Sequence, residues 1–278
     1  MGQAEAQTEP RRAAQRAGAP QAPALFVSHG APTFALEPGL LGPALTTLGA
    51  RLDVAAVLVV SAHWQTAGVK VMRTAAPGTV HDFRGFPPEL YRLQYPAPGA
   101  PGFAREAAAL LEAAGIKVSF DDVRGIDHGA WVPLRYLLPR AQTPVFQVSL
   151  PFALDAAGAV RLGAVLAPLR RKGVLIMASG SLTHNLSEVG ADARAAAYAL
   201  EFTAWVREEV QRLDVGALED YRRLAPHAQR AHPTDEHFLP LLVAAGAADA
   251  SDVVTVIEGG MTYGVLSMES YVFARPAA

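Results

Sequence analysis

Residues 54–61 read VAAVLVVS and are followed directly by Ala62, His63 and Trp64. An uncharged apolar run of this length is typical of a strand that is covered on both faces of a sheet. Similar runs occur at 24–28, 144–150, 173–179, 253–258 and 264–273. Helical patterns lie between them at 101–114, 155–171, 191–213 and 235–245. The alternation predicts an α/β fold in which helices flank a mixed or mostly parallel central sheet.

Composition excludes several classes of protein. The chain has 278 residues, is 51% apolar, and carries 24 basic and 26 acidic side chains, so its formal charge is −2. Such a balance lacks the basic face of a nucleic-acid-binding protein and the polybasic segment of a membrane anchor. No apolar stretch reaches the ~18 residues of a transmembrane helix. We therefore expect a cytoplasmic protein, a monomer or small homo-oligomer, that binds neither nucleic acid nor membrane.

One domain accounts for most of the chain. Residues 1–23 are rich in Ala, Gln, Pro and charge, and lack the apolar core of a signal peptide, so we expect a disordered tail. The Pro- and Gly-rich stretch 85–102 contains Phe, Tyr and Leu, which favours an ordered loop over a linker. The predicted catalytic domain is 24–278.

Histidine and carboxylate are the available metal ligands, because the chain contains no cysteine. His29, His63 and His184 each follow an apolar strand candidate. Ligands of open α/β sheets bind at the carboxyl ends of the strands, so these three imidazoles are expected to converge there. His237 follows Thr234, which we interpret as the N-cap of a helix whose first turn faces the same crevice.

Two further histidines lie in loop-like segments. His128, between Asp127 and Gly129, suits a tight exposed turn; it is either a general acid/base or an ordinary turn residue. His81 and Arg84 either line a pocket for an aromatic or acidic ligand or belong to a surface loop. The sequence has no P-loop, no G-x-G-x-x-G, no G-x-S-x-G and no HExxH, which argues against nucleotide binding and against helix-based zinc proteolysis.

Seven segments, in order, resemble the DOPA-dioxygenase-type extradiol ring-opening dioxygenases. This class III group is related to the catalytic subunit of protocatechuate 4,5-dioxygenase. The resemblance spans about 24–273. The segments are Ser28-His29-Gly30-Ala31-Pro32, Ser61-Ala62-His63-Trp64, His81-Asp82-Phe83-Arg84-Gly85-Phe86-Pro87, Tyr95-Pro96-Ala97-Pro98-Gly99, Asp127-His128-Gly129-Ala130-Trp131, Ser179-Gly180-Ser181-Leu182-Thr183-His184-Asn185 and Pro233-Thr234-Asp235-Glu236-His237-Phe238-Leu239-Pro240-Leu241.

The resemblance implies a single α/β domain with a mononuclear metal at the strand ends. The implied metal ligands are His29, His63, His184 and His237. His128 and, in some interpretations, His184 match the acid/base histidines. More distant class III relatives use a Glu in place of the third His, and Glu236 stands beside His237. An all-imidazole site suits Fe²⁺, needed for activity, and also Zn²⁺.

The implied reaction is the extradiol cleavage of a small catechol-type aromatic by O₂. The candidate substrate-binding residues are His81, Arg84, Trp64 and Tyr95, together with Phe83. Two other functions stay open at this point. One is a zinc-dependent hydrolase on the same scaffold, in which the metal activates water. The other is a metal-binding protein without catalytic activity.

Overall fold

The central sheet contains six strands in the order β6-β2-β8-β1-β12-β9 in the structure, a computed structural model that describes residues 21–190 and 194–276. Strands β6, β2, β8 and β1 are parallel, whereas β12 and β9 are antiparallel to their neighbours. The sheet is thus mixed and mostly parallel, as predicted. The six strands are β1 (Ala24–Ser28), β2 (Ala56–Ser61), β6 (Val145–Gln147), β8 (Val174–Gly180), β9 (Val253–Ile257) and β12 (Ser270–Ala274).

Short strand pairs, nine α-helices and four 3₁₀ helices complete the regular structure of the described residues. The short strands are β3 (Gln65–Thr66), β4 (Val69–Met72), β5 (Val118–Asp121), β7 (Leu150–Pro151), β10 (Met261–Thr262) and β11 (Leu266–Ser267). The helices are α1 (Leu41–Gly49), α2 (Pro101–Ala113), α3 (His128–Leu137), α4 (Ala156–Leu166), α5 (Ala197–Arg212), α6 (Val215–Glu219), α7 (Tyr221–Leu224), α8 (Ala228–Ala231) and α9 (Leu239–Gly246). None of these helices is both long and apolar enough to cross a membrane.

Alternate residues of the buried strands pack on opposite faces of the sheet, which explains the continuous apolar runs. Phe26, Leu58 and Ile176 contribute to one core, against which α2, α4, α5 and α9 pack. Leu25 and Val57 contribute to the other core, which is covered by α1 and α3. The result is a three-layer α/β/α domain.

Several predicted boundaries needed correction. The predicted strand 264–273 is two strands, β11 and β12, and 144–150 is divided between β6 and β7. The helix predicted over 155–171 ends at Leu166 and continues as a 3₁₀ helix, Ala167–Lys172, since Pro168 cannot donate an α-helical hydrogen bond. The first three residues of the helix predicted over 191–213 lie outside the described residues.

The amino-terminal boundary lies slightly earlier than the sequence suggests. Ala22 is buried, donates its N–H to the Arg170 carbonyl oxygen at 3.0 Å, and accepts a bond from Arg170 Nε at 2.8 Å. The buried Arg170 guanidinium also binds Asp252 Oδ2 and the carbonyl oxygens of Ala247 and Phe273. Residues 21–23 therefore belong to the folded domain, and the tail predicted over 1–23 otherwise falls on residues that the structure does not describe.

Candidate metal centre

The carboxyl ends of β1, β2 and β8 meet at one edge of the sheet, and the predicted histidines lie there. His29 directly follows β1, and its N–H donates to the Gly180 carbonyl oxygen at the end of β8 at 2.9 Å. His63 lies two residues beyond β2. His237 reaches the edge because Ser181 N–H donates to its carbonyl oxygen at 3.0 Å. Only glycine fits at position 180, where a Cβ would lie 2.2 Å from that same oxygen.

The Nε2 atom of His63 faces the Nε2 atoms of His29 and His237. The Nε2 atoms of His63 and His29 are 2.9 Å apart, and those of His63 and His237 are 3.4 Å apart. His29 and His237 are buried, whereas the His63 side chain is 23% exposed. The group is therefore reached from solvent on the His63 side.

Hydrogen bonding fixes which nitrogen of His29 carries the proton. Ser179 Oγ donates its single proton to the Gly129 carbonyl oxygen. The 2.9 Å contact between Ser179 Oγ and His29 Nδ1 must then be a bond that the ring N–H donates. His29 is consequently protonated at Nδ1, and its Nε2 presents a lone pair to His63.

His237 is fixed in the same way by Glu236. Its Nδ1 lies 2.9 Å from Glu236 Oε1, and a carboxylate only accepts, so Nδ1 carries the proton. The helix start predicted at Thr234 is wrong: α9 begins at Leu239, and Thr234 Oγ1 instead donates to Glu236 Oε1 at 3.0 Å. Glu236, the carboxylate alternative to a histidine ligand, thus orients His237.

Burial keeps these imidazoles neutral. Desolvation, reinforced by the neighbouring imidazoles, lowers the pKa values of His29 and His237 well below their ordinary value. Burial and then the positive field of His128 lower the pKa of His63 to about 4. Near neutral pH, the three rings therefore offer unprotonated nitrogens, the form that binds metal.

The three rings fit a single bound ion. Two imidazoles with nitrogens about 2.1 Å from one metal, at about 90–109°, have ring centroids about 4.6–5.3 Å apart. The observed centroid separations are 4.8 Å for His29 and His63 and 5.0 Å for His63 and His237, which lie within this range, and 5.5 Å for His29 and His237, which lies just above it. The donor set therefore fits a divalent metal.

His184 has a different orientation from these three rings. It stacks on His237 with a centroid separation of 3.4 Å and an interplanar angle of 10°. Parallel rings this close cannot both direct in-plane lone pairs at one ion about 2.1 Å away. One ring nitrogen of His184 lies within 4.8 Å of ligand atoms of His237 and Glu236. To become a fourth ligand, as the resemblance implies, His184 would have to turn out of the stack. Burial lowers its pKa as well.

His128 is buried rather than exposed in a turn, and this corrects the local prediction. It is the first residue of α3, is 5% exposed, and lies with its ring centroid 4.0 Å from that of His63. One ring nitrogen of His128 lies within 4.8 Å of one nitrogen each of His29 and His63, which are also that close to each other. However, His128 Nδ1 is hydrogen-bonded to Asp82 Oδ1 at 2.9 Å, so this residue offers only Nε2 to the site.

The 81–91 loop supplies an aromatic wall beside His128. Phe83 meets the His128 ring edge-on, with centroids 5.6 Å apart, and also contacts Phe86 and Tyr91. His81 bonds the Leu93 carbonyl oxygen through Nε2 at 3.0 Å, which anchors the loop. Arg84 is exposed, and its guanidinium has no hydrogen bond or ion pair to any residue that the structure describes.

Two predicted substrate-binding residues lie in the hydrophobic core. Trp64 is 4% exposed, and the Arg124 guanidinium stacks over its ring at 4.7 Å. Tyr95 is 2% exposed, and its hydroxyl donates to the Leu138 carbonyl oxygen at 2.9 Å. Both side chains are committed to packing, so the structure gives neither a surface on which a substrate could rest.

Sequence reasoning missed the polar residues behind the histidines. Asp127, fully buried, accepts from Ser61 Oγ at 2.6 Å, Gln147 Nε2 at 2.8 Å and Arg124 at 2.9 Å. Ser179 and Asp82 lie within two of the seven segments, but the sequence assigns neither a partner. Both residues lie in histidine-containing segments, but the histidines that they contact are far away in sequence. Ser179 is 150 positions from His29, and Asp82 is 46 positions from His128.

Comparisons with known proteins identify the family. Residues 42–274 match the model of the catalytic LigB subunit of aromatic ring-opening dioxygenase. The chain is 38% identical to a 4,5-DOPA dioxygenase extradiol of Beta vulgaris, over 89% of this chain and 95% of that protein. It is 37% identical to a 4,5-DOPA dioxygenase extradiol of Escherichia coli K12, over 89% and 93% respectively. A crystal structure of an uncharacterized Escherichia coli K12 protein superposes with a TM-score of 0.76 at 33% identity, covering 90% of this chain and 99% of that one.

Proposed function

The chain belongs to the LigB family of metal-dependent aromatic ring-opening dioxygenases, and from that premise we propose that it cleaves a catechol-type ring in the extradiol position with O₂. One observation carries the proposal: the Nε2 atoms of His29, His63 and His237 converge. Ser179 and Glu236 hold the two buried rings in the tautomer that leaves those nitrogens unprotonated.

We propose that His29, His63 and His237 hold the metal, with His184 at the border of the site. The ion in the active enzyme is Fe²⁺, and Zn²⁺ fits the same imidazole set. When bound, iron supplies Lewis acidity toward the catechol oxygens and the redox chemistry by which a catechol reacts with O₂.

His128 is the proposed acid/base residue. Its Nδ1 donates to Asp82, so Nε2 holds the lone pair, next to His63 on the open side of the site. That nitrogen accepts the proton of a catechol hydroxyl and returns a proton when the ring opens. His184, half-buried on the far side of the His237 ring, is the second candidate for proton return.

The substrate is a small catechol that carries a carboxylate. Phe83, beside His128, offers an aromatic face for the ring. Arg84, the next residue, supplies an exposed guanidinium that makes no hydrogen bond or ion pair with any described residue. This cation suits a carboxylate on the substrate side chain. A dihydroxyphenyl acid combines these features.

Metal-dependent turnover tests the proposed function. The protein is stripped of metal, reconstituted anaerobically with Fe²⁺ or Zn²⁺, and assayed with a catechol panel while O₂ uptake is recorded. We expect O₂ uptake and a yellow product with iron only. Cleavage of esters or amides with zinc, independent of O₂, would instead establish the hydrolase.

Histidine variants test the site itself. His29→Ala should lose bound metal and ring opening together, because it removes one of three ligands. His227→Ala is the matched control, since His227 is exposed and bonded to Glu201. Full metal content and full activity in His29→Ala would refute the ligand assignment.

An arginine pair tests the substrate class. Arg84→Ala should raise KM about tenfold for a dihydroxyphenyl acid, corresponding to one lost charge-assisted contact, and leave KM for 4-methylcatechol unchanged. Arg92→Ala, an exposed arginine of the same loop region, is the control. Equal KM changes for the acid and the neutral catechol would contradict carboxylate recognition.

A further inference from the structure

One carboxylate bridges the substrate loop and two histidines of the centre. Asp82 Oδ1 accepts two bonds from His128, one from the backbone N–H at 3.0 Å and one from ring Nδ1 at 2.9 Å. Its other oxygen, Oδ2, lies 3.7 Å from His63 Nδ1. Asp82 is therefore in contact with the proposed acid/base residue and close to a proposed ligand.

This contact replaces a missing local cap. Asp127 occupies the N-cap position of α3, yet its side chain makes no capping bond because it is turned inward to Ser61 and Gln147. A helix start has unpaired N–H groups that favour an acceptor and a negative charge. Asp82 supplies both from 46 positions earlier in the chain.

The same bridge fixes the loop on the helix. Val80, two residues before Asp82, accepts a bond from Trp131 Nε1 in the first turn of α3 at 3.0 Å. Phe83, the next residue, packs edge-on against His128. This segment and the helix start are thus held together at three points, Val80, Asp82 and Phe83, of which Asp82 is the charged one.

The hydrogen bond to Asp82 fixes which nitrogen of His128 carries the proton. A carboxylate accepts and cannot donate, so His128 Nδ1 must carry the proton.

We propose that Asp82 is the positioning residue for His128: it holds the imidazole as the Nδ1–H tautomer, aims Nε2 at the substrate, and ties this orientation to the docked 81–91 loop. The inference rests on the proposed acid/base role of His128. When Nε2 takes a hydroxyl proton, the ring becomes an imidazolium cation that the Asp82 carboxylate stabilises. When Nε2 returns the proton, the neutral Nδ1–H ring is restored.

The experiment compares Asp82→Ala, Asp82→Asn and a surface control, Asp122→Ala. Asp122 is exposed and paired with Arg73. Zinc-loaded protein with ¹⁵N-labelled histidine reports the His128 tautomer, and iron-loaded protein reports kcat, KM and metal content. In Asp82→Ala we expect the Nδ1–H signature of His128 to disappear and kcat to fall about 100-fold, with metal retained.

Asp82→Asn separates tautomer from charge. The amide oxygen still accepts from Nδ1–H and from the helix N–H, so the tautomer and folding should be preserved. The charge that stabilises the imidazolium is lost, so kcat should fall by about tenfold with KM unchanged. Wild-type kcat in Asp82→Ala, or an unchanged tautomer there, would overturn the inference, as would metal loss without a tautomer change.

His128→Gln distinguishes this failure from failure of the proposed function. If His128→Gln is inactive while Asp82→Ala is fully active, the acid/base role stands and the positioning role is wrong. If His128→Gln keeps full ring-opening activity, the acid/base assignment fails, and the positioning role fails with it.

Discussion

Ser179→Ala tests the tautomer argument at the metal centre directly. Ser179 Oγ accepts from His29 Nδ1 at 2.9 Å and is itself oriented by the Gly129 carbonyl oxygen. The variant removes the hydroxyl oxygen, leaves the buried Nδ1–H unpaired, and allows the ring to adopt the tautomer with the proton on Nε2. Metal binding then becomes weaker, because the ring must first return to the tautomer with the proton on Nδ1.

The expected magnitude follows from this lost contact. Removing the acceptor behind a metal-binding histidine costs about 10–100-fold in metal affinity, or about 1.4–2.7 kcal/mol. Stability should fall by about 1–3 kcal/mol because a buried donor has lost its partner. Zinc affinity, measured by competition with a chromophoric chelator at constant pH, and urea unfolding of the metal-free protein give the two values.

Ser181→Ala is the matched control for Ser179→Ala. Ser181 is equally buried, two residues along the chain, and its hydroxyl donates to the Thr183 carbonyl oxygen at 2.8 Å. Its only link to a histidine among these bonds is the backbone N–H that donates to the His237 carbonyl oxygen, and alanine keeps that bond. We expect it to lose comparable stability and to bind zinc like the wild type. If Ser179→Ala and Ser181→Ala bind zinc equally tightly, the account of His29 is wrong.

Three further changes have defined outcomes. Glu236→Ala should weaken zinc binding about tenfold in chelator competition, while Glu236→Gln, which keeps an acceptor for His237 Nδ1, should lose little. Burial lowers the pKa of His232 to about 3, so at pH 5 the wild type takes up a proton at this residue when it unfolds, whereas His232→Gln does not. Below pH 6.5, the unfolding free energy of the wild type should therefore fall by up to about 1.4 kcal/mol per pH unit more than that of His232→Gln, as urea unfolding at pH 7 and pH 5 would show. Arg170→Met should lower the urea unfolding free energy by about 3–5 kcal/mol, because the buried Asp252 carboxylate loses its partner, and a change under 1 kcal/mol would contradict this account.

The sequence predicted what depends on local pattern. The apolar run 24–28 coincides with β1, and 173–179 lies within one residue of β8, because residues buried on both faces must be apolar throughout. Because ligands of open α/β sheets bind at the carboxyl ends of the strands, the strand assignments also predicted that His29 and His63 lie at one edge of the sheet.

What the sequence could not predict depends on distant partners. Thr234 has the composition of an N-cap, but its hydroxyl bonds Glu236, and the helix begins five residues later. His128 has the neighbours of an exposed turn, yet Asp82 caps it from another loop and buries it. The sequence around Tyr95 suggests a pocket residue, and only the fold reveals that its hydroxyl donates to the Leu138 carbonyl oxygen.

The wide spacing of the three histidines along the chain affects when during folding the protein can bind a metal. His29 and His63 are 34 positions apart, and His63 and His237 are 174 apart, so none of the three proposed ligands has another close to it in sequence. A nascent chain cannot present the third nitrogen until nearly all of it has been synthesised, and a short local fragment offers the ion no chelate. Metal loading therefore reports completion of the tertiary structure, and in refolding it should follow the slow formation of long-range strand pairs instead of initiating it.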